Sequence, residues 1–339
     1  MEREKRSDLS GVSQAVLSVK DFSMHFLRYG RGIKGIGIEQ EKLCVISSLE
    51  VEINAGEIAA IVGSSGSGKS LLAHALLGIL PPNAVVTGDV RYRGERLTPE
   101  RLAELRGRGI ALIPQSVNFL DPLMTVGKQV KGEHHSTEEV EAVFKRYNLA
   151  PDVTRRYPFE LSGGMARRVL VAAAVISGAP LIIADEPTPG LSEALAREAL
   201  SHLRELADKG AGVMLITHDL RMALEVSDKI AIFYAGRTLE TAQRGDFENR
   251  GAGLRHPYAR ALWRASPQNE FKPLPGYQPP AREGADTCVF FPRCLLRTTQ
   301  CRCPVPLRKF KGGSVRCVHA EAVFAEEPGE HTGKNRPGP

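Results

Sequence analysis

Apolar positions along this chain follow two patterns. Short runs are apolar at nearly every place: Ile58–Val62, Ala111–Ile113, Leu181–Ala184 and Val213–Ile216. Such runs predict strands buried on both faces, as in a parallel sheet covered by helices. Between them lie longer stretches rich in helix formers. Leu71–Leu77 is apolar almost all round, and Ala166–Ile176 is rich in Ala and Val behind Ser162, a good helix cap. Strands alternating with helices predict an α/β fold. Residues 16 to about 110 and 180 to 250 read as its strand-rich core, and residues 115 to 178 as a mainly helical subdomain. The longest apolar stretch, Val169–Ala184, is interrupted by Ser177, Gly178 and Pro180, so it reads as helix, turn and strand, too short to span a bilayer.

The turns between these elements carry the chemistry. After the strand at Ile58–Val62 comes Gly63-Ser64-Ser65-Gly66-Ser67-Gly68-Lys69-Ser70, followed by a helix. Glycines let the backbone wrap an anion with its N–H groups pointing inward, and the helix start adds partial positive charge. Lys69 is placed to reach the β and γ phosphates of a nucleotide, and the Ser70 hydroxyl to ligate Mg²⁺. The alternative is a Gly/Ser-rich turn with no ligand, which the strand and helix on either side disfavour.

Asp185 and Glu186 end a buried strand on its ligand side. Asp185 suits Mg²⁺ held through water, and Glu186 suits a general base for the attacking water. The same pair alone also fits a cap for the next helix. Leu161-Ser162-Gly163-Gly164-Met165 forms a second anion site, a capped helix start with two glycines.

Leu-Ser-Gly-Gly followed by an apolar strand and Asp185-Glu186-Pro187-Thr188 resembles the ATPase subunits of ATP-binding cassette (ABC) transporters, from about Val16 to Ala320. The resemblance implies a P-loop core with an antiparallel edge sheet and a helical subdomain. It assigns Gln115 to Mg²⁺ and to sensing the membrane subunits, and His218 to the γ-phosphate. It also gives Phe26, with Tyr29 second, to stacking on adenine; a core Phe is the rival for Phe26. In this family two subunits pair head to tail, with ATP between one subunit's Gly63–Ser70 and the other's Ser162–Gly164. Three departures stand out: a Gly-rich charged insertion from Arg28 to Glu41, Met165 where Gln is commoner, and Ser192 where the family ends its loop in Asp. Glu193 is the candidate substitute for that carboxylate.

Charge and cysteine set the C-terminal part apart. Residues 255–320 hold 12 Lys/Arg against 3 Asp/Glu, whereas residues 1–254 are one charge short of neutral. Five of the six cysteines lie in the same region, four of them spaced C-x5-C-x6-C-x15-C at Cys288, Cys294, Cys301 and Cys317, with Cys303 extra. In a reducing compartment such a group reads as metal-binding rather than disulfide-bonded, and the spacing fits no zinc finger. With His256-Pro257-Tyr258 upstream, the region resembles the C-terminal extension of oligopeptide, dipeptide and nickel importer ATPases. There four such cysteines hold a [4Fe–4S] cluster; zinc is the runner-up and buried free thiols the third possibility.

The resulting expectation has four parts. Residues 1–14 are disordered, 15–250 form the nucleotide-binding domain, 251–320 the cysteine-bearing extension, and 321–339 a disordered tail. The resemblance implies an enzyme hydrolysing ATP with Mg²⁺ at the cytoplasmic face of a membrane. Its partners would be two permeases, a second ATPase and a solute-binding protein, for uptake of peptides, nickel or a metal chelate. The basic extension raises a rival, a soluble ABC-type ATPase acting on nucleic acid. A coiled-coil insertion or second cassette, expected of that class, is absent, and no nucleic-acid partner is expected.

Overall fold

The computed structural model describes residues 15–31, 38–64, 66–282 and 287–325, without the side chains of 29–31 and 38–40. Ser65, the Tyr29 side chain, residues 1–14 and 326–339 lie outside this description.

The parallel part of the sheet is built from the four apolar runs and one more strand. It comprises β3 (Ile58–Val62), β6 (Ile110–Ile113), β7 (Leu181–Asp185), β8 (Gly212–Thr217) and β9 (Lys229–Tyr234), in the spatial order β9-β3-β8-β7-β6. Every residue of β3, β7 and β8 is buried. Alternation along β3 splits its side chains between two cores. Ile58, Ala60 and Val62 join the helical side, while Ala59 and Ile61 face the antiparallel side.

That antiparallel side consists of β1 (Leu17–Arg31), β2 (Ile38–Ile53), β4 (Ala84–Tyr92) and β5 (Glu95–Arg96). Of the insertion from Arg28 to Glu41, the described residues lengthen β1 and β2, with Arg28 opposite Glu41. They run past Phe26, where the pairing of β1 with β4 stops.

Helices cover both faces. α1 (Lys69–Leu76) follows β3 directly, and α2 (Pro99–Leu105) starts from a Thr98 cap. The subdomain between β6 and β7 holds α3 (Val126–Lys131), α4 (Thr137–Arg146) and α5 (Gly163–Ile176). α6 (Glu193–Asp208) and α7 (Leu220–Val226) complete the core.

The C-terminal extension adds edge strands to β10 (Arg237–Gln243). β12 (Gly313–Val315) pairs with β10 and with β11 (Arg308–Phe310). What locks this edge is a buried ion cluster. Arg255, 1% exposed, reaches the fully buried Glu240 at 3.2 Å and Asp246 at 2.9 Å, and its Nε donates to Phe310 O at 2.8 Å. Glu240 also accepts the Arg255 and His256 backbone N–H groups. Such a pair is a weak stabiliser overall, but losing one partner costs about 3–5 kcal/mol because a bare charge stays buried. One expectation is corrected here. The tail is not disordered from Glu321: Ala320–Ala325 is a helix, with Val323 buried and Phe324 edge-on to Phe310, because its apolar side chains have a surface to cover.

Candidate functional site

Gly63, Asp185, His218 and Gln115 follow or end β3, β7, β8 and β6. These strands run parallel, so all four residues gather at one end of the sheet.

The loop after β3 needs glycine where its neighbours crowd it. A Cβ on Gly63 would sit 2.5 Å from Phe233 O; one on Gly68, whose φ is +91°, would sit 2.6 Å from Val45 Cγ1. Gly68 ends the turn and α1 starts at Lys69 itself. The Lys69 ammonium, only 5% exposed as a residue, donates to Gly63 O at 2.9 Å, Ser64 O at 2.8 Å and Ser67 Oγ at 3.3 Å. Burial lowers its pKa, while the nearby Glu186 and Asp185 carboxylates pull it back up. Ser70 Oγ donates to Asp185 Oδ1 at 3.0 Å, joining the two residues assigned to Mg²⁺. Burial raises the Asp185 pKa, and the Ser70 bond offsets part of that rise.

Glu186 is held in an unusual conformation. Its φ is +46°, a left-handed value that costs a non-glycine residue about 1–3 kcal/mol and recurs at functional sites. Its N–H donates to Ile216 O at 2.9 Å, and its carboxylate lies 2.9 and 3.0 Å from His218 Nδ1. Glu186 is buried whereas the His218 side chain is half exposed, so the pair sits at the lip of the site.

The sequence left the residue that holds this loop unnoticed. Arg167 on α5 donates to Glu186 O (3.2 Å), Pro187 O (3.0 Å) and Pro189 O (3.0 Å). Its only signal was a cation two residues past Met165 on the Leu-Ser-Gly-Gly helix, and contacts to backbone carbonyls leave no motif.

Ser162 caps α5, accepting from Met165 N at 3.3 Å, so this helix begins three residues before the apolar run that predicted it. Ser162 and Gly163 are exposed, and a Cβ on Gly163 would meet nothing within 4 Å. Among the described residues this turn makes no hydrogen bond to Gly63–Ser70. Gln115 is exposed just beyond β6. Phe26 is half-buried against the antiparallel-side core, which leaves part of its ring open. Ser192 caps α6, accepting from Leu195 N at 3.5 Å. Glu193, the candidate substitute, is engaged within its own chain by Arg221 at 2.8 Å and Arg197 at 3.1 Å.

The cysteines converge as a set. Cys288, Cys294, Cys301 and Cys317 line one small cavity with His256 and His319, and the exposed Cys303 is not among its walls. Cys288 N donates to Cys301 O at 2.9 Å. Burial pushes the Cys294 thiol up to about 11 and the Cys317 thiol up to about 12, and the neighbouring cysteines add to both shifts. Among the described residues, no three or more His, Cys, Asp or Glu side chains gather closely enough to hold a metal ion.

Among the described residues no helix is long and apolar enough to cross a membrane. Residues 46–189 match the family described as ABC transporter, and residues 240–301 match the one described as oligopeptide/dipeptide transporter, C-terminal region. The dipeptide transport ATP-binding protein DppD of Escherichia coli (strain K12) is 33% identical over 314 residues, covering 86% of this chain and 92% of that protein. The oligopeptide transport ATP-binding protein OppD of Lactococcus lactis subsp. cremoris (strain SK11) is 35% identical over 276 residues, covering 76% and 78%. A solved dimeric ATP-binding cassette, MJ0796, in a post-hydrolysis state bound to ADP and Pi, superposes with a TM-score of 0.57 at 24% identity. It covers 67% of this chain and 98% of its own, and shares the fold. Both matched segments occur in order, and the relatives align along most of the chain: the protein belongs to the ABC transporter family, as an ATP-binding subunit with the oligopeptide/dipeptide-type C-terminal region.

Proposed function

We propose that this chain hydrolyses ATP to drive uptake of peptides through partner permeases. The observation that carries this is the gathering of Lys69, Ser70–Asp185 and Glu186–His218 at the carboxyl end of one parallel sheet. Lys69 leaves its loop carbonyls to bind the β and γ phosphates. Ser70, Asp185 and Gln115 are the residues suited to Mg²⁺, which neutralises charge on the phosphate oxygens. Glu186 takes a proton from water as its oxygen attacks the γ-phosphorus, and the bond from that phosphorus to the β–γ bridging oxygen breaks, leaving ADP and phosphate. His218, held by Glu186, faces the γ-phosphate. Phe26 stacks on adenine. Ser162–Gly164, whose donors face outward, binds the nucleotide held by a second ATPase subunit, and Gly63–Ser70 meets that partner's equivalent turn.

Partner contacts have candidate surfaces beside both turns. Phe119, Leu123 (87% exposed) and Met124 follow Gln115, and Tyr157 and Phe159 precede Ser162. Exposed apolar side chains on these segments fit cytoplasmic loops of two permeases, which would place the chain at the inner face of a membrane. The solute would arrive through an extracytoplasmic binding protein. Peptides are favoured over nickel or a metal chelate because the C-terminal match and the named relatives are of the peptide type, and the same relatives give the nucleic-acid rival no support.

The four thiols lining one cavity offer the four separate cysteine ligands that a [4Fe–4S] cluster takes. A single zinc ion fits less well, because the side chains do not gather on one point. The cluster's role would be structural.

The test is reconstitution of the chain with its partner permeases and a second ATPase in vesicles. ATP hydrolysis stimulated by a peptide-loaded binding protein is expected; stimulation by a nickel chelate alone would overturn the peptide reading. Anaerobically purified protein should be brown with about four irons per chain, should bleach when any of the four cysteines becomes Ser, and should stay brown in Cys303→Ser. Colourless protein with stoichiometric zinc would replace the cluster.

A further inference from the structure

The Pro-rich connector from Pro267 to Arg282, between the core and the cysteine cavity, touches the phosphate loop. Ser64 Oγ donates to Gln278 Oε1 at 2.8 Å, across 214 residues of sequence. Three residues later Ala281 covers Gly236, where a Cβ would lie 2.6 Å from the Ala281 Cβ and 3.4 Å from Val45 O. Val45 is also the residue whose side chain crowds Gly68, so the connector runs beside the loop rather than meeting it at one chance point.

Both ends of the contact are anchored. On the connector side, Arg293 donates to Leu274 O (3.0 Å), Pro275 O (2.8 Å) and Tyr234 Oη (3.1 Å), and the residue after it is Cys294 of the cavity. On the loop side, Ser64 O accepts from Lys69 Nζ at 2.8 Å and from Ser67 Oγ at 2.7 Å. A line of contacts thus runs from the cysteine cavity through Arg293, the connector and Gln278 to the carbonyl that holds Lys69.

We propose that Gln278 is a positioning residue of the nucleotide site, through which the C-terminal extension sets the shape of the phosphate loop and hence its affinity for ATP. This rests on the loop's being the ATP site. Loop backbone N–H groups bind an anion well only when they already point at it, and a hydrogen bond at Ser64 restricts the loop before the ligand arrives. Gln278 touches the loop and not the attacking water, so its loss acts on binding and leaves the chemical step alone.

The experiment uses the full chain. Gln278→Met keeps the length of the side chain and removes the acceptor; Ser64→Ala removes the same bond from the other side and leaves the loop backbone intact. Binding of Mg-ATP is measured by calorimetry, and KM and kcat in the assembled transporter. Each variant is expected to raise the Kd for Mg-ATP by roughly threefold to tenfold. For Gln278→Met, KM should rise in parallel with kcat nearly unchanged, and the double variant should be no weaker than the worse single one. An unaltered Kd in either variant, or effects that multiply in the double variant, would overturn the proposal. If the unmodified chain itself fails to bind Mg-ATP, what fails is the assignment of the loop.

Discussion

Gly63–Ser70 and Ser162–Gly164 are both glycine turns that open a helix, yet they are furnished in opposite ways. The first is enclosed. Its lysine is buried, its serine is bonded to Asp185, and Glu186 and His218 stand at its rim. The second is exposed: its serine side chain caps its own helix, and Arg167, the next cation along that helix, faces back to grip the Glu186 loop. A helix start leaves N–H groups without intrahelical partners, and a turn that presents them to open space is half of a binding site. The difference fits the reading proposed above, in which this chain holds one nearly complete active centre and contributes to a partner's. α5 also joins the two, because it opens with the outward turn and grips the Glu186 loop through Arg167.

The comparison can be broken in graded steps. Glu186→Gln keeps shape and hydrogen-bonding reach but removes the base, so turnover should fall about 10²- to 10⁴-fold while Mg-ATP still binds. Steady-state hydrolysis at the normal rate in the assembled transporter would remove Glu186 from the active centre. Ser162→Arg should lower turnover of the assembly about a hundredfold by blocking donors to the partner's nucleotide. Mg-ATP affinity of the lone subunit should be unaffected, and a loss there would show that the two turns serve one site after all. Arg167→Ala deletes three hydrogen bonds to the catalytic loop; chemical denaturation should show a loss of about 1–3 kcal/mol, with reduced turnover. An unchanged unfolding midpoint and rate would mean that the loop holds itself. Ser192→Asp should cost no stability, because Asp caps a helix as well as Ser does. A rise in turnover of no more than about fivefold, roughly one hydrogen bond to the facing loop, is expected. Unchanged kinetics would show that the partner lacks a group for the new carboxylate to meet.

Much of the core was legible because its signals are local. Ile58–Val62 and Leu181–Ala184 are apolar at every position since both faces of the sheet are covered, and the ligand-side residues follow immediately in sequence. The helical subdomain was readable from Ala166–Ile176 for the same reason. The tail was misread at Glu321, where six residues form a helix only because Phe310 and the edge strands offer a surface to pack against. Glu193 reads as the candidate substitute for the missing aspartate, but its ion pairs with two arginines, one of them 28 residues away, leave no local signal.

By itself the sequence determined four strands of the parallel sheet, the two glycine turns and the cation and carboxylates beside the first of them, because each depends on neighbours a few residues away. The tertiary structure alone decided how these parts are tied together. Arg167 on the catalytic loop, Arg255 between Glu240 and the Phe310 turn, Arg293 on the connector and Gln278 on Ser64 all join residues distant in sequence. Long polar side chains that end on backbone carbonyls or a single hydroxyl impose no periodicity and need no fixed spacing. Their partners are chosen only once the sheet has brought the segments side by side.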